Sequence, residues 1–199
     1  MIFTTSLLKE KYHDYVNSLD KIKREVDQGN LFRLAKGLYE TDRTTDPMFL
    51  AAPLLSPSYI SFEYALSYYG FIPERVYAIT SASLMVRKNK TYVNNFGRFE
   101  FSDIPPEAFP EGTYLIENNG YIARIASKEK ALCDALYKWP VVYSIKDLKQ
   151  LLFEDKRIDE EEFANLDFKS LIKLASLYHK TNHKLLIKFV EKEYLLWIM

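Results

Sequence analysis

The chain has 199 residues, with 27 basic and 27 acidic side chains, so it can bury a sizeable core but offers no global field to nucleic acid or an anionic membrane. One cysteine, Cys133, excludes an intramolecular disulfide and suggests a reducing compartment. No apolar run approaches the roughly 20 residues that span a bilayer, and Met1-Ile2-Phe3 leads straight into polar residues, so the expectation is a cytoplasmic protein with no membrane partner.

Residues 1–45 read as a small appendage. Ser6–Tyr15 is predicted helical, and Ser18-Leu19-Asp20-Lys21 opens a second helix with Leu19, Ile22 and Val26 as its apolar face and Gly29 as its stop. Leu31–Leu34, a tight Ala35-Lys36-Gly37 turn and Leu38–Glu40 read as a short hairpin. Helix, turn, helix, hairpin is the order of a winged helix-turn-helix, here beginning at what would be its second helix. In that arrangement Lys21, Lys23, Arg24 and Gln28 lie on the exposed side of the recognition helix, and Arg33 and Lys36 lie on the wing. Cations there meet phosphates, and a glutamine can read a base edge. Asp20, Glu25 and Asp27 are interspersed, which equally suits an ordinary solvated helix face.

Asp42, Thr44, Thr45, Asp46-Pro47, Pro53, Ser56 and Pro57 mark a boundary, with Met48–Leu55 as a short apolar helix inside it. The second domain is expected over 46–199, strand-rich in 58–125 and helical in 126–199. Ser61 is placed as N-cap of a helix Phe62–Tyr69 that stops at Gly70. Strands are predicted at Val76–Thr80, Arg87–Tyr92, Phe96–Phe101, Thr113–Glu117 and Tyr121–Ile125, and Asn119-Gly120 signals a two-residue hairpin. Arg87, Lys88, Lys90 and Arg98 interleave with Tyr92, Phe96 and Phe99, a composition that fits either a nucleic-acid strand or the charged outer face of a hairpin.

Ser127 should cap the helix that follows, with Glu129 in its first turn and Ala131, Leu132, Ala135 and Leu136 as a narrow apolar stripe that buries it centrally. Asp134 can pair with Lys130 one turn earlier, a structural role. Ser144 and Asp147 form a capping-box pattern opening Asp147–Phe153, while Asp159 and Asp167 open further helices and Lys184–Trp197 is the last. The acidic run Glu154, Asp155 and Asp159–Glu162 could meet a basic partner or simply be solvated helix ends.

Chemistry-bearing patterns are sparse. Six scattered glycines make no phosphate-cradling loop, and His179 and His183 have neither an intervening Glu nor a further ligand, so no metal, cofactor or catalytic residue is assigned. Glu129 and Asp134 are roughly 140° apart around a helix and do not face one substrate.

Several stretches, taken in order, resemble one family. They are Arg33-Leu34-Ala35-Lys36-Gly37-Leu38-Tyr39, then Tyr59-Ile60-Ser61 leading to Ala65-Leu66 and Gly70, then Val76-Tyr77-Ala78-Ile79-Thr80. Phe99–Phe101 with Ile104-Pro105 follows, and the set closes on Ile125-Ala126-Ser127-Lys128-Glu129-Lys130-Ala131-Leu132 with Asp134. Together they resemble the AbiEi-type antitoxins, the transcriptional-regulator half of bacterial type IV toxin–antitoxin pairs. The resemblance implies a winged helix-turn-helix, here shortened, that binds promoter DNA. It also implies a larger domain that counters a nucleotidyltransferase-like toxin, directly or indirectly.

The expected fold is therefore α+β: a partial winged helix-turn-helix, then a small, mostly antiparallel sheet and a helical C-terminal half. The expected protein is non-enzymatic. A DNA-binding regulator without antitoxin role is the alternative, and an enzymatic reading would use Ser127, Glu129, Lys130 and Asp134 as a site.

Overall fold

The computed structural model describes residues 1–84, 86–87 and 89–194 in full, and Leu195 by its backbone. The fold is α+β, with nine α-helices and two sheets among the described residues.

The N-terminal unit comprises strand β1 (Ile2–Thr4), helices α1 (Thr5–Lys11) and α2 (Ser18–Asp27), and strands β2 (Phe32–Ala35) and β3 (Leu38–Glu40). Thr4 caps α1 by accepting the Leu7 N–H, and Asn17 caps α2 by accepting the Leu19 and Asp20 N–H groups. α1 is therefore shorter than the predicted Ser6–Tyr15. Gly29 adopts φ +76 just beyond α2, a conformation that is strained for any side chain and ends the helix. β3 lies between β1 and β2, antiparallel to both. Leu8, Ile22, Leu31 and Tyr39 form a miniature core of their own. Leu19, expected on the apolar face, is exposed.

The 42–56 boundary is no loose linker. Asp46 caps a 3-10 turn (Pro47–Leu50) that runs into α3 (Ala51–Leu54), and Met48, Phe49, Leu50, Ala51 and Leu54 are all buried in the main core.

The larger sheet runs β6-β7-β5-β4-β9-β8, built from β4 (Ser58–Ile60), β5 (Ile79–Ser83), β6 (Asn89–Asn94), β7 (Gly97–Ser102), β8 (Thr113–Asn118) and β9 (Tyr121–Ala126). It is mixed. The β4–β5, β6–β7 and β8–β9 pairs are antiparallel, but β4–β9 and β5–β7 are parallel. The expected strand Val76–Thr80 is displaced to Ile79–Ser83; Tyr77 is exposed, and only the later residues find partners in β4 and β7. Asn119 and Gly120 both take positive φ, as a two-residue hairpin between right-twisting strands requires.

Helices close over the sheet and over one another. α5 (Lys128–Lys138) packs against α4 (Phe62–Tyr68), α8 (Phe168–Ser176) and α9 (Thr181–Val190), while α6 (Ile145–Lys149) packs on α9. Ser144, Asp159 and Asp167 cap α6, α7 (Glu160–Ala164) and α8 through their side chains. α6 and α9 each run on into a π-helical turn, Gln150–Asp155 and Glu191–Leu195. Leu196 and Trp197, the end of the expected last helix, lie outside the described residues. No helix among the described residues is long and apolar enough to cross a membrane.

Candidate nucleic-acid interface and a buried ionic centre

The candidate contact residues of the N-terminal unit divide by their place on α2. Asn17 and the buried Ile22 orient the helix so that Lys23, Arg24 and Gln28 are exposed. Lys21 is a correction. Its Nζ donates to Glu25 Oε1, one turn along α2, at 2.5 Å and lies 5.0 Å from the ring of Tyr15 in the turn between α1 and α2. The apolar face of so short a helix pair is too small to stand alone, and the lysine stem and two tyrosine rings extend it.

On the hairpin, Arg33 and Lys36 are exposed as expected. The Arg33 guanidinium lies 5.7 Å from the Tyr39 ring, and Arg43, just past the hairpin, lies 6.0 Å from the Phe32 ring. Arg43 was missed in the sequence because it falls in a polar boundary segment with no periodicity.

The four residues of the second basic patch do not form one surface. Lys88 lies outside the described residues. Lys90 pairs across the hairpin with Phe101 and Arg98 with Val93, which places Lys90 and Arg98 on opposite faces of the β6–β7 ribbon. Arg98 donates to Glu100 Oε1 at 2.5 Å, so its charge is largely offset; Arg87 is exposed near the start of β6.

The hairpin tip makes a contact that the sequence did not suggest. Asn94 Nδ2 donates to the Leu34 carbonyl at 3.1 Å, and Phe96 meets Phe32 edge-on with ring centroids 6.0 Å apart. This seats the turn of the larger domain's hairpin against β2. Between them lies a cleft of about 570 Å³, lined by Gln28, Arg33, Lys36 and Arg43 on one side and Asn94 and Asn95 on the other.

A second joint holds the two units together. Glu40, fully buried, accepts hydrogen bonds from the Met1 amino group, the Thr41 and Asp42 N–H groups and the Tyr121 hydroxyl. Burial alone pushes the Glu40 carboxyl up, but these donors outweigh it and hold the group below its ordinary value.

The family-motif residues sit at the centre of the larger domain. Ser127 caps α5 by accepting the Lys130 N–H, and Glu129 accepts the Asp167 N–H at 3.1 Å, tying α5 to the start of α8. Lys130 and Asp134 are both fully buried and paired at 3.1 Å. The Lys130 ammonium also donates to the Ala108 carbonyl at 2.8 Å and to the Tyr178 hydroxyl. Asp134 accepts from Tyr178 on one oxygen, and on the other from Tyr59 at 2.9 Å and Ser61 at 2.6 Å. Burial, reinforced by the Asp134 charge, pushes both tyrosine hydroxyls above their ordinary range, so they stay neutral donors.

Ser61 is thus another correction. Expected to cap α4, it makes no capping bond and serves Asp134 instead. Phe62 next to it takes φ +56, turning the chain from β4 into α4 while keeping Ser61 on the carboxylate.

His183 Nε2 is 2.9 Å from the Cys133 carbonyl, and its ring stacks on Tyr178 at 4.4 Å. Burial, with Lys130 and Lys180 nearby, lowers it to about 4. Burial likewise pushes the Cys133 thiol far up, so it is a core residue and no nucleophile. Among the described residues no His, Cys, Asp or Glu cluster has the makings of a metal site. The acidic run is partly used within the chain: Asp159 caps α7, and Glu162 pairs with Lys128 at 2.6 Å.

Lys130 and Asp134 are closed off from solvent with their polar atoms hydrogen-bonded, and the Nδ1 of His183 beside them is buried without a partner among the described residues, whereas Lys23, Arg24, Arg33, Lys36 and Arg43 are open to solvent. No protein-family model matches the chain, and no curated protein is significantly similar to it.

Proposed function

We propose that the chain is a non-enzymatic antitoxin and transcriptional regulator of the AbiEi type. Its N-terminal unit is a winged helix-turn-helix for promoter DNA, and its larger domain counters a nucleotidyltransferase-like toxin. The observation that carries the DNA-binding half is topological. Strand, two helices and a hairpin, with β3 sheeted between β1 and β2, are compatible with the connectivity of a winged unit. In that frame α2 is the recognition helix, and it leaves Lys23, Arg24 and Gln28 in solvent.

The antitoxin half rests on the ordered motif resemblance. The burial of Ser61, Lys130 and Asp134 in one network is consistent with those motif positions being scaffold, which leaves any toxin contact to the surface.

Two experiments separate the halves. A mobility-shift titration with DNA from upstream of its own gene should give a salt-sensitive complex that Lys23→Ala/Arg24→Ala weakens; a salt-insensitive or unaltered complex refutes phosphate contact by α2. Co-expression with an adjacent nucleotidyltransferase-like gene should rescue growth. Promoter binding without rescue would leave a DNA-binding regulator with no antitoxin role.

A further inference from the structure

β8 is the last strand of the large sheet: β9 covers one side of it, and no strand among the described residues covers the other. Natural chains guard such an edge with lysine, proline or a bulge. The opposite edge of the sheet fits that pattern, since β6 carries Lys90. β8, Thr113-Tyr114-Leu115-Ile116-Glu117-Asn118, is six residues long, has neither lysine nor proline, and pairs with β9 without a shift in register. The two-residue hairpin decides which of its backbone groups are open. Asn118 and Tyr121 close that hairpin as a hydrogen-bonded pair, so the even-numbered residues of β8 bond to β9. The N–H and C=O groups of Thr113, Leu115 and Glu117 therefore point outward. Their side chains share one face with Ile122 and Arg124 of β9. On that face Leu115 and Ile122 are 59% and 58% exposed. Arg124 reaches along it toward the sheet edge, its Nη1 donating to the Thr113 hydroxyl at 3.1 Å. Neither Arg124 nor Glu117 has an ion-pair partner among the described residues.

We propose that β8 pairs antiparallel with β8 of a second copy of the chain, about a two-fold axis at Leu115. In this register Leu115 faces its own equivalent and Thr113 faces Glu117 of the second copy, and each pair exchanges two backbone hydrogen bonds. Glu117 of one copy then arrives where Arg124 of the other already reaches, so each copy supplies the carboxylate that its partner's arginine lacks. The adjacent registers that keep the outward groups facing one another are poorer. A shift one way carries Glu117 past the end of the opposing strand, and a shift the other way sets Leu115 against Glu117. Nothing in this joint involves DNA or a toxin, so it stands or falls independently of the function proposed above.

The test is sedimentation velocity on the full chain across a concentration series reaching about 500 µM. Wild-type protein should pass from monomer toward dimer with a Kd of about 10–100 µM, because a single strand pair lies at the small end of specific interfaces. Leu115→Lys sets two cations against each other on the axis and should raise the Kd by more than about tenfold. Glu117→Arg and Arg124→Glu should each raise it about tenfold, since the two-fold axis makes every substitution act twice. The charge-swapped double variant Glu117→Arg/Arg124→Glu should return to within about threefold of wild type, a rescue that a merely structural role of Arg124 would not produce. Val93→Lys makes the same kind of change at an exposed position on β6, the opposite edge, and should leave the Kd unchanged.

Wild-type protein that stays monomeric at the top of the series overturns the proposal, even if β8 then captures a strand of some other protein. A dimer indifferent to Leu115→Lys, or one lost in Val93→Lys, places the joint elsewhere and overturns it too. So does a charge-swapped double variant that associates no more tightly than its single parents. Melting temperatures taken at low concentration, where every variant is monomeric, establish that each comparison is between folded proteins.

Discussion

Replacing Asp134 with Asn should be among the most damaging single-atom changes the chain can suffer. The substitution keeps the side-chain volume but removes the only carboxylate among the described residues that is bonded to the fully buried Lys130 ammonium. What remains around the ammonium is the Ala108 carbonyl, the Tyr178 hydroxyl and an amide oxygen. Breaking a buried ion pair from one side costs about 3–5 kcal/mol, because the surviving charge is stranded in low dielectric. The hydroxyls of Tyr59 and Ser61 also lose a charged acceptor. Their contribution overlaps with that of the ion pair and is not added to it. Against a total of roughly 5–15 kcal/mol for a folded domain, a loss near 4 kcal/mol leaves a marginal protein. Urea unfolding followed by far-UV circular dichroism would show it as a lower midpoint with unchanged slope. Adding Lys130→Met should recover a substantial part of the loss, since the double variant no longer buries a lone charge. A cost for Asp134→Asn below about 1 kcal/mol, or a double variant as unstable as the sum of the singles, would refute the account of this centre as a buried ion pair.

Other consequences are as direct. His183 is held neutral to about pH 4 in the fold, against an ordinary value of 6.5, so the unfolded chain binds the extra proton first. Its contribution is complete above pH 6.5 and is lost as pH falls toward 4, a change on the order of 3 kcal/mol. His183→Gln should flatten the stability profile in that window, and an unaltered profile would show that other groups set it. Gly112 has φ +70, and a Cβ there would come within 2.9 Å of Leu174 and 3.1 Å of the Lys130 Cβ. Gly112→Ala should therefore cost about 2–4 kcal/mol from backbone strain and overpacking together, measured as a shift in denaturation midpoint; a neutral effect would mean that the β8–α8 contact is slack.

What could be read in advance was what is decided locally. Ser127 before an apolar stripe, Asn119-Gly120 between alternating runs, and Asp159 and Asp167 before helices all act through their nearest neighbours, and each stands where expected. What escaped depends on distant partners. β1 and β4 are three residues long and carry no periodicity; only pairing across the fold makes them strands. Ser61 reads as a cap until Asp134, far along the chain, takes its hydroxyl. Lys21 is a local exception: Glu25 one turn on, with Tyr12 and Tyr15 just before the helix, gathers around a side chain that reads as exposed. The candidate basic residues were legible as a list but not as a surface. Alternation along the strands splits Lys90 from Arg98, while docking of the hairpin tip brings Asn94 and Asn95 up to Arg33, Lys36 and Arg43.

The position of β4 also bears on how the chain finds its fold. The hairpins β6–β7 and β8–β9 join strands that are neighbours in sequence, and each can zip on its own at little entropic cost. They lie in opposite halves of the large sheet, joined through β5 and the three residues of β4, whose parallel pairing with β9 brings Ile60 to Ile125. That step closes the longest loop in the sheet and delivers Tyr59 and Ser61 to Asp134 as it does so. We expect the rate-limiting event in folding to be this meeting of two preformed ribbons across β5 and the short strand β4. A chevron analysis of Ile60→Val should place most of its effect on the folding arm; an effect confined to unfolding would move the nucleus elsewhere. In kinetic terms the sheet is two local structures waiting on one distant contact.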